Sequence, residues 1–180
     1  MTGEGDGHTS VAGRSSMNEY TFGPLGPDDA NEATEIFNHY VRHTFAAYPE
    51  EPVPPAFFNQ LMAHAAGYPA AAVRDADGAL AGFGLLRPHR PMAVFAGTAE
   101  LTCFIRPDRT GKGVGARILG ILEEEGAKSG IVTILAGISS HNEGSIRFHA
   151  RHGFQECGRF VGVGMKFGTL FDEVWMQKIL

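Results

Sequence analysis

Apolar residues recur along the first third of the chain at helical spacing, which predicts helices before the first long strand. Tyr20 and Phe22 predict a short strand, and Asp28 or Asp29 then caps a helix. The apolar positions of that helix are Ala33, Ile36, Phe37, Tyr40 and Val41. Residues 48–55 contain four prolines and therefore predict a loop.

The rest of the chain alternates between short apolar runs and helical patterns. The predicted helices are residues 56–66, 114–128 and 145–152, and the predicted strands are residues 70–74, 79–86, 99–105, 131–138, 154–163 and 173–180. Asp77-Gly78 indicates a hairpin turn between the first two of these strands, and residues 88–91 interrupt the ladder. This order predicts an α/β domain with a mixed sheet and helices on both faces.

Composition and charge limit the classes of protein to which the chain can belong. Its 180 residues are 43% hydrophobic and 19% charged, which suits one compact domain. The net charge of −5 argues against a nucleic-acid partner, because such partners usually leave a basic stripe. No apolar run approaches the roughly 20 residues that cross a bilayer, so we expect no membrane association.

The ends and the cysteines complete the predicted organisation. Residues 1–17 contain almost nothing to bury and predict a disordered tail, which leaves residues 18–180 as a single domain. Cys103 and Cys157 are too isolated for a disulfide framework or a metal signature, so we expect no bound metal. With no signal-peptide pattern at the start, these features favour a reducing, cytoplasmic location.

The stretch RTGKGVG places Gly111, Gly113 and Gly115 at alternate positions between a strand and a helix. Bare backbone before a helix can point several N–H groups at one spot, which is how proteins bind phosphate or pyrophosphate. The spacing matches neither the Walker pattern nor the dinucleotide fingerprint. A tight turn with close helix packing is the alternative interpretation, and the loop alone does not decide between them.

A second motif follows about thirty residues later, in SSHNEGSIRFHARHGF. Asn142, Ser145, His149 and the pair Gly153-Phe154 resemble the second signature of the GNAT acyl-CoA N-acyltransferases. TGKGVG, residues 110–115, resembles the first signature, with Thr110 where Arg or Gln is usual. Together with TAELTCFIRPDRTGKGVG and the ending VGVGMKFGTLFDEVWMQKIL, these motifs are similar to the phosphinothricin and methionine sulfoximine/sulfone acetyltransferases.

The resemblance implies the GNAT fold and acetyl-CoA as co-substrate. It implies that the strand ending at Ile105 separates from its neighbour at a bulge and offers free N–H groups to the acetyl carbonyl and the pantetheine amides. The implied coenzyme contacts are Cys103, Phe104, Ile105, Gly111, Lys112, Gly113, Val114, Gly115 and Ala116, with Asn142 and Ser145 on the pantetheine arm. Lys112 could supply charge that Thr110 does not.

Two residues are candidates for proton transfer. The resemblance places Glu100 where the subfamily has its glutamate base, although a solvent-facing glutamate at a strand end is the alternative. His149 stands where much of the superfamily has a tyrosine, and it could protonate the departing thiolate or relay the proton of the amine. The remaining histidines, His89 among them, are interpreted as ordinary surface or core side chains.

Three side chains that precede the strand predicted over residues 99–105 are candidates for substrate binding. A guanidinium from Arg87 or Arg90 suits a substrate carboxylate, phosphinate or sulfone, and Phe95 could form an apolar wall. Lys166 and Asp172 could shape the site or a dimer seam. Residues 44–47 and 169–170 depart from the pattern of the subfamily, and this leaves open which small amino acid is the acceptor.

The sequence therefore predicts an acetyl-CoA-dependent N-acetyltransferase acting on a small-molecule amine by direct transfer in a ternary complex, as a homodimer by family analogy. A non-catalytic acyl-CoA-binding module is one alternative, and Glu100 speaks against it. A protein or peptide N-acetyltransferase is the other, and it would need an open groove.

Overall fold

The computed structural model describes residues 20–180, so the predicted tail over residues 1–17 lies outside the described residues. The strands are β1 (Thr21–Gly23), β2 (Ala70–Arg74), β3 (Leu80–Pro88), β4 (Thr98–Ile105), β5 (Thr133–Ser139), β6 (Gln155–Lys166) and β7 (Thr169–Ile179). The helices are α1 (Ala30–His43), α2 (Pro55–His64), α3 (Val114–Lys128) and α4 (Glu143–Arg151). This order confirms the predicted succession of elements.

All described strands belong to one mixed sheet of seven, in the order β1-β2-β3-β4-β5-β7-β6. Neighbours pair antiparallel except β4 and β5, which pair parallel and are joined by the crossover through α3. The final hairpin places β7 beside β5, so β6 becomes the edge strand. The sheet is the mixed sheet that the sequence predicts.

The parallel pairing of β4 with β5 is short, and it leaves a gap between the two strands beyond its last pair. Its register ends at Glu100 opposite Leu135, although β4 continues to Ile105 and β5 to Ser139. On its other side β4 stays paired with β3 from Ala99 to Ile105. The two strands therefore part, as the family resemblance implies. The implied bulge is not found in the described strands, because neither the β3–β4 nor the β4–β5 register contains a shift.

Helices cover both faces of the sheet and bury two apolar clusters. On one face, α3 contributes Val114, Ile118 and Leu122 to a cluster that includes Ile134 and Val174. On the other face, the cluster beneath α1 and α2 contains Ala33, Ile36, Phe58, Leu80, Phe83 and Leu85. Strand alternation explains the division, because successive side chains point to opposite faces.

The terminal hairpin differs from its prediction. The sequence predicts strands ending at residue 163 and restarting at 173, whereas β6 runs to Lys166 and β7 begins at Thr169. Phe167 and Gly168 adopt φ angles of 51° and 70°, which is the geometry of a two-residue hairpin turn. The register shift between Phe160 and Gly164 accommodates the glycines that hid the strand pattern.

A pair of glycine substitutions tests the packing of α3 on the sheet. A Cβ at Gly84 would lie 2.5 Å from Ile118 Cγ2 and 3.1 Å from Leu122 Cδ1. We expect Gly84→Ala to lower the free energy of unfolding by ~1–3 kcal/mol through overpacking. Gly120, exposed on α3 with nothing within 4 Å, is the matched control. There the same change should raise stability by ~0.5–1 kcal/mol in urea unfolding, because alanine favours the helix. Equal effects at both positions would contradict this packing.

Candidate active site

A cavity of about 1200 Å³ opens where β4 and β5 part. The start of α3 and one side of α4 line one end, and α1, α2 and the loop between them line the other. It is large enough for two ligands side by side, since small-molecule sites usually occupy roughly 300–1,000 Å³. Residues that the sequence singled out occur at both ends of this cavity.

The glycine loop at the start of α3 presents unpaired main-chain donors. Gly111 and Gly113 have φ angles of 73° and 82°, a conformation that glycine adopts without strain. The first N–H after the loop with a main-chain acceptor is Arg117, bonded to Gly113 O at 3.1 Å. No side chain caps the helix at Gly113. Within the described residues, the N–H groups from Gly111 to Ala116 are thus free for an anion, reinforced by the helix dipole.

The side chains of this loop contribute less than its backbone. Val114 is buried in the core, and Lys112 is exposed and absent from the cavity wall. Thr110 folds back so that its Oγ1 donates to Pro107 O at 2.9 Å. Arg109 borders the cavity, with its guanidinium donating to Asp75 Oδ2 at 3.1 Å. Lys112 and Val114 can therefore make their predicted coenzyme contacts only through their main-chain N–H groups.

The free edge of β4 supplies further donors. Arg106 N donates to Ala81 O at 2.8 Å and His89 N to Thr98 O at 3.4 Å, so even-numbered residues of this ladder face β3. Antiparallel alternation then points the N–H groups of Cys103 and Ile105 towards the gap. The main chain of Phe104 faces β3 instead, so its N–H is not a donor to the cavity.

Two aromatic contacts hold this edge against α1. The hydroxyl of Tyr40 donates to Ile105 O at 2.5 Å, and the ring of Phe104 packs on Phe37 with centroids 5.0 Å apart. Burial raises the pKa of Tyr40 to about 12, so the hydroxyl remains a donor. The open edge is therefore held in place from the α1 side.

Cys103 does not have the properties of a nucleophile. Burial raises the pKa of its thiol to about 12, so it is protonated near neutral pH. The sequence-based interpretation of this residue as a small buried apolar side chain agrees with that state.

Helix α4 lines the coenzyme end of the cavity. Asn142 caps the helix, with its Oδ1 accepting from Ser145 N at 3.2 Å, and both residues border the cavity. His149 Nδ1 lies 2.8 Å from Ser145 O, which fixes that nitrogen as the donor. Burial lowers the pKa of His149, so the ring is neutral and its Nε2 carries a lone pair. Of the two predicted roles of His149, a neutral ring favours relaying the proton of the amine over protonating the departing thiolate.

Glu100 faces the α1 side of the sheet, with its side chain only 12% exposed. Its Oε1 lies 2.7 Å from His89 Nδ1, and its Oε2 pairs with Arg87. Arg90 Nε donates to His89 Nε2 at 3.4 Å, which makes Nδ1 the hydrogen-bearing atom towards Glu100. The alternative of a solvent-facing strand-end glutamate is therefore wrong. His89, interpreted from the sequence as an ordinary side chain, is in contact with the candidate base.

The three predicted substrate contacts occupy different places. Arg87 lies in the cavity but is engaged by Glu100. Arg90 lines a neighbouring pocket of about 330 Å³ together with His89 and Trp175. Phe95 stands under the Arg90 guanidinium at 5.7 Å and borders neither space. Substrate contact by Arg90 or Phe95 thus stays a prediction.

The acceptor end contains polar residues that sequence reasoning missed. Tyr48, Glu173 and Trp175 all line it, and Trp175 Nε1 donates to Glu173 Oε2 at 3.0 Å. The strand predicted over residues 173–180 already contains Glu173 and Trp175, and its alternation places them on one face. Only the pairing of β7 with β5 shows that this face lines the cavity.

Two buried side chains fix the loop above this end. Lys166, 1% exposed, donates to Thr44 O at 2.8 Å and Ala47 O at 2.6 Å. Asn38 exchanges two hydrogen bonds with the backbone of Val53, at 2.9 and 2.8 Å. Lys166 was predicted to shape the site or a dimer seam, and one of its two acceptors, Ala47, lies on the cavity wall.

The described part of the chain shows neither a metal cluster nor a spanning helix. No group of three or more His, Cys, Asp or Glu side chains in residues 20–180 could hold a metal ion. Over the same residues, no helix combines the length and apolarity needed to cross a membrane.

Comparison with known proteins identifies the family. Residues 33–154 match the model of the acetyltransferase (GNAT) family. The phosphinothricin N-acetyltransferase of Streptomyces coelicolor is 31% identical over 85% of this chain and 92% of its own length. The L-methionine sulfoximine/L-methionine sulfone acetyltransferase of Pseudomonas aeruginosa is 36% identical over 79% of this chain and 84% of its own. The chain belongs to the GNAT acetyltransferase family.

A solved structure supports the same assignment. The phosphinothricin acetyltransferase of Sinorhizobium meliloti, crystallised with acetyl-CoA, superposes with a TM-score of 0.85 at 26% identity. The match covers 90% of this chain and 89% of that one. The predicted fold and enzyme class are confirmed: this is an N-acetyltransferase whose co-substrate is acetyl-CoA.

The glycine loop can be tested with a matched pair at the two ends of α3. Gly113 and Gly130 have φ angles of 82° and 85°, so alanine strains both equally. We expect Gly113→Ala to raise the Kd for acetyl-CoA about tenfold, as the loop turns its N–H groups away to relieve a strain of ~1–2 kcal/mol. Gly130→Ala should lose similar thermal stability yet keep its Kd in calorimetry. Unchanged affinity in both variants would exclude the loop as the anion site.

Proposed function

We propose that this enzyme transfers the acetyl group of acetyl-CoA to the amine of a small amino-acid-like acceptor by direct attack in a ternary complex. The position of Glu100 carries the proposal: a carboxylate beside the point where β4 leaves β5, facing a cavity with room for both substrates. The names of the relatives support phosphinothricin, methionine sulfoximine or sulfone, or a related amino acid as the acceptor.

The coenzyme contacts follow from the free donors. The N–H groups from Gly111 to Ala116 bind the pyrophosphate, and Asn142 and Ser145 flank the pantetheine arm from α4. The N–H groups of Cys103 and Ile105 face the acyl end, where one donor aimed at a developing oxyanion is worth roughly 3–4 kcal/mol. These assignments are supported by the lack of protein acceptors for the loop amides.

Glu100 acts as the base in this proposal. The acceptor arrives as an ammonium ion, and Glu100 takes one proton directly or through a water molecule. The free amine nitrogen then bonds to the thioester carbonyl carbon, which gives a tetrahedral intermediate whose nitrogen must lose a second proton. The carbon–sulfur bond breaks, the thiolate leaves with the electron pair, and it takes up that second proton to form the free thiol. Arg87 and His89 hold the Glu100 carboxylate in a fixed orientation before the proton arrives.

Neither alternative function fits the cavity as well. A non-catalytic acyl-CoA-binding module has no need for a carboxylate enclosed by two basic side chains beside the acyl end. A protein or peptide acetyltransferase needs an open groove, whereas Lys166 and Asn38 fix the α1–α2 loop over the acceptor end. The enclosed shape favours a small molecule.

A homodimer is the proposed assembly. The edge strand and its turn expose an apolar surface, here named the hairpin patch: Phe160, Val161, Val163, Met165, Phe167 and Leu170. Unprotected edges with contiguous apolar side chains mark interaction sites. The cytoplasmic location predicted from the sequence stays a prediction.

Replacement of the base tests the chemistry. We expect Glu100→Gln to lower kcat by ~10²–10⁴, because the ammonium ion loses its proton acceptor, while the Kd for acetyl-CoA stays the same. The readout is thiol release from acetyl-CoA with phosphinothricin, methionine sulfoximine and methionine sulfone. Glu124→Gln, which removes an exposed carboxylate on α3, is the matched control and should keep full activity. Full activity of Glu100→Gln across pH would remove Glu100 from the mechanism.

The dimer has a test of its own. Val161 in the hairpin patch is 78% exposed, and Val132, at the opposite end of the sheet, is 57% exposed. We expect Val161→Asp to convert a dimer into a monomer in sedimentation velocity, because a charge would be buried in the interface, and Val132→Asp to stay dimeric. A monomeric parent protein would contradict the proposed assembly.

A further inference from the structure

Glu173 is a carboxylate in the acceptor end of the cavity that the proposed mechanism does not use. It lies on β7 opposite Ser139 of β5, and Trp175 lies opposite Gly137. A Cβ at Gly137 would be 3.2 Å from Glu173 Oε1 and 3.4 Å from the Trp175 ring. Because Gly137 has no side chain, both groups can lie close over the strand and line the cavity.

The charge of Glu173 is not neutralised by a neighbouring cation in the described residues. Its recorded donor is the neutral indole N–H of Trp175, at 3.0 Å. Tyr48 faces the same carboxylate; burial, followed by the charge of Glu173 and a hydrogen bond to it, raises the pKa of the Tyr48 hydroxyl. This second partner therefore also stays neutral.

The other charged groups of the cavity have partners or lie elsewhere. Arg87 and His89 are engaged by Glu100, and Arg109 by Asp75. His149 is neutral, and Arg151 is an exposed residue on α4, at the coenzyme end, where His152 Nδ1 lies 2.7 Å from Phe148 O. His64, exposed at the end of α2, also borders the cavity, but within the described residues the partner of Glu173 is Trp175 and not this imidazole. The acceptor end therefore has one negative charge that the cavity leaves uncompensated.

We propose that Glu173 binds a second positively charged group of the acceptor, so that the preferred substrate is an amino acid with a basic side chain. This inference rests on the proposed function, which it narrows from small amino acids in general to cationic ones. The indole of Trp175 and the phenol of Tyr48 flank the carboxylate, and aromatic faces favour cations.

The spacing of the two carboxylates suits a long acceptor. The β5 residues opposite Glu100 and Glu173 are Leu135 and Ser139. Four residues of strand span about 13 Å, and Glu100 and Glu173 lie on opposite sides of β5, two strand spacings or about 10 Å apart. The Glu173 carboxylate lies over Gly137, two residues closer to Leu135, and this shortens the gap to one that suits a long acceptor such as arginine or lysine. The amine that reacts lies at Glu100 and the distal cation at Glu173.

Isosteric acceptors separate charge from shape. L-Arginine and L-citrulline have the same length but differ in charge, as do L-lysine and 6-hydroxy-L-norleucine. We expect the enzyme to show a kcat/KM about tenfold or more higher for the charged member of each pair, since a half-buried carboxylate that faces the cavity favours a cation over a neutral group of the same shape. Glu173→Gln should bring both ratios close to one. The glutamine oxygen can still accept from Trp175, which keeps the local structure.

The control is Glu156→Gln, which removes an exposed carboxylate on β6 that pairs with Arg159. It changes the net charge equally and should leave both ratios as they are. Equal kcat/KM values within each pair in the parent enzyme, or ratios unchanged by Glu173→Gln, would overturn the inference.

A different result would show that the proposed function itself is wrong. If no acceptor, including phosphinothricin and methionine sulfoximine, releases thiol from acetyl-CoA, direct transfer to small amino acids is wrong. Calorimetry of arginine and citrulline with the CoA-loaded protein then still tests Glu173. Tighter binding of arginine that Glu173→Gln abolishes supports the inference, and equal binding of the two overturns it.

Discussion

The separation of β4 from β5 after Glu100 and Leu135 is the constraint on which the rest of the site depends. Buried main-chain donors without partners cost free energy comparable to lost hydrogen bonds. The N–H groups of Cys103 and Ile105 have no partner strand beyond this point and border the cavity, where a bound ligand can supply the acceptor. The start of α3 adds the loop amides next to this opening, so one extended ligand can satisfy both sets.

On the acceptor side of the cavity, side-chain contacts hold the charged groups and an irregular loop in fixed positions. Glu100 is held by Arg87 and His89, and the loop is held by buried donors from distant parts of the chain. Lys166 reaches Thr44 and Ala47 across more than a hundred residues of sequence. The terminal hairpin thus shapes the wall of a cavity whose chemistry lies on β4.

Local patterns predicted the parts of the site that depend on nearby residues. Glycines at alternate positions before a helix predicted the loop of free N–H groups, and the spacing from Asn142 to Phe154 predicted α4 with its cap. His89 could not be found in this way, because its contact with Glu100 depends on how residues 88–97 fold back onto β4. Glu173 was missed although it lies in the strand predicted over residues 173–180, because only the register of that strand with β5 places it in the cavity.

A crystal structure of the protein with coenzyme A bound would test the central claim most directly. We expect the pyrophosphate to lie against the N–H groups from Gly111 to Ala116, with the pantetheine arm in the gap and bonded to Cys103 N and Ile105 N. A coenzyme bound elsewhere, with β4 and β5 closed on each other and those amides bonded to protein carbonyls, would contradict it.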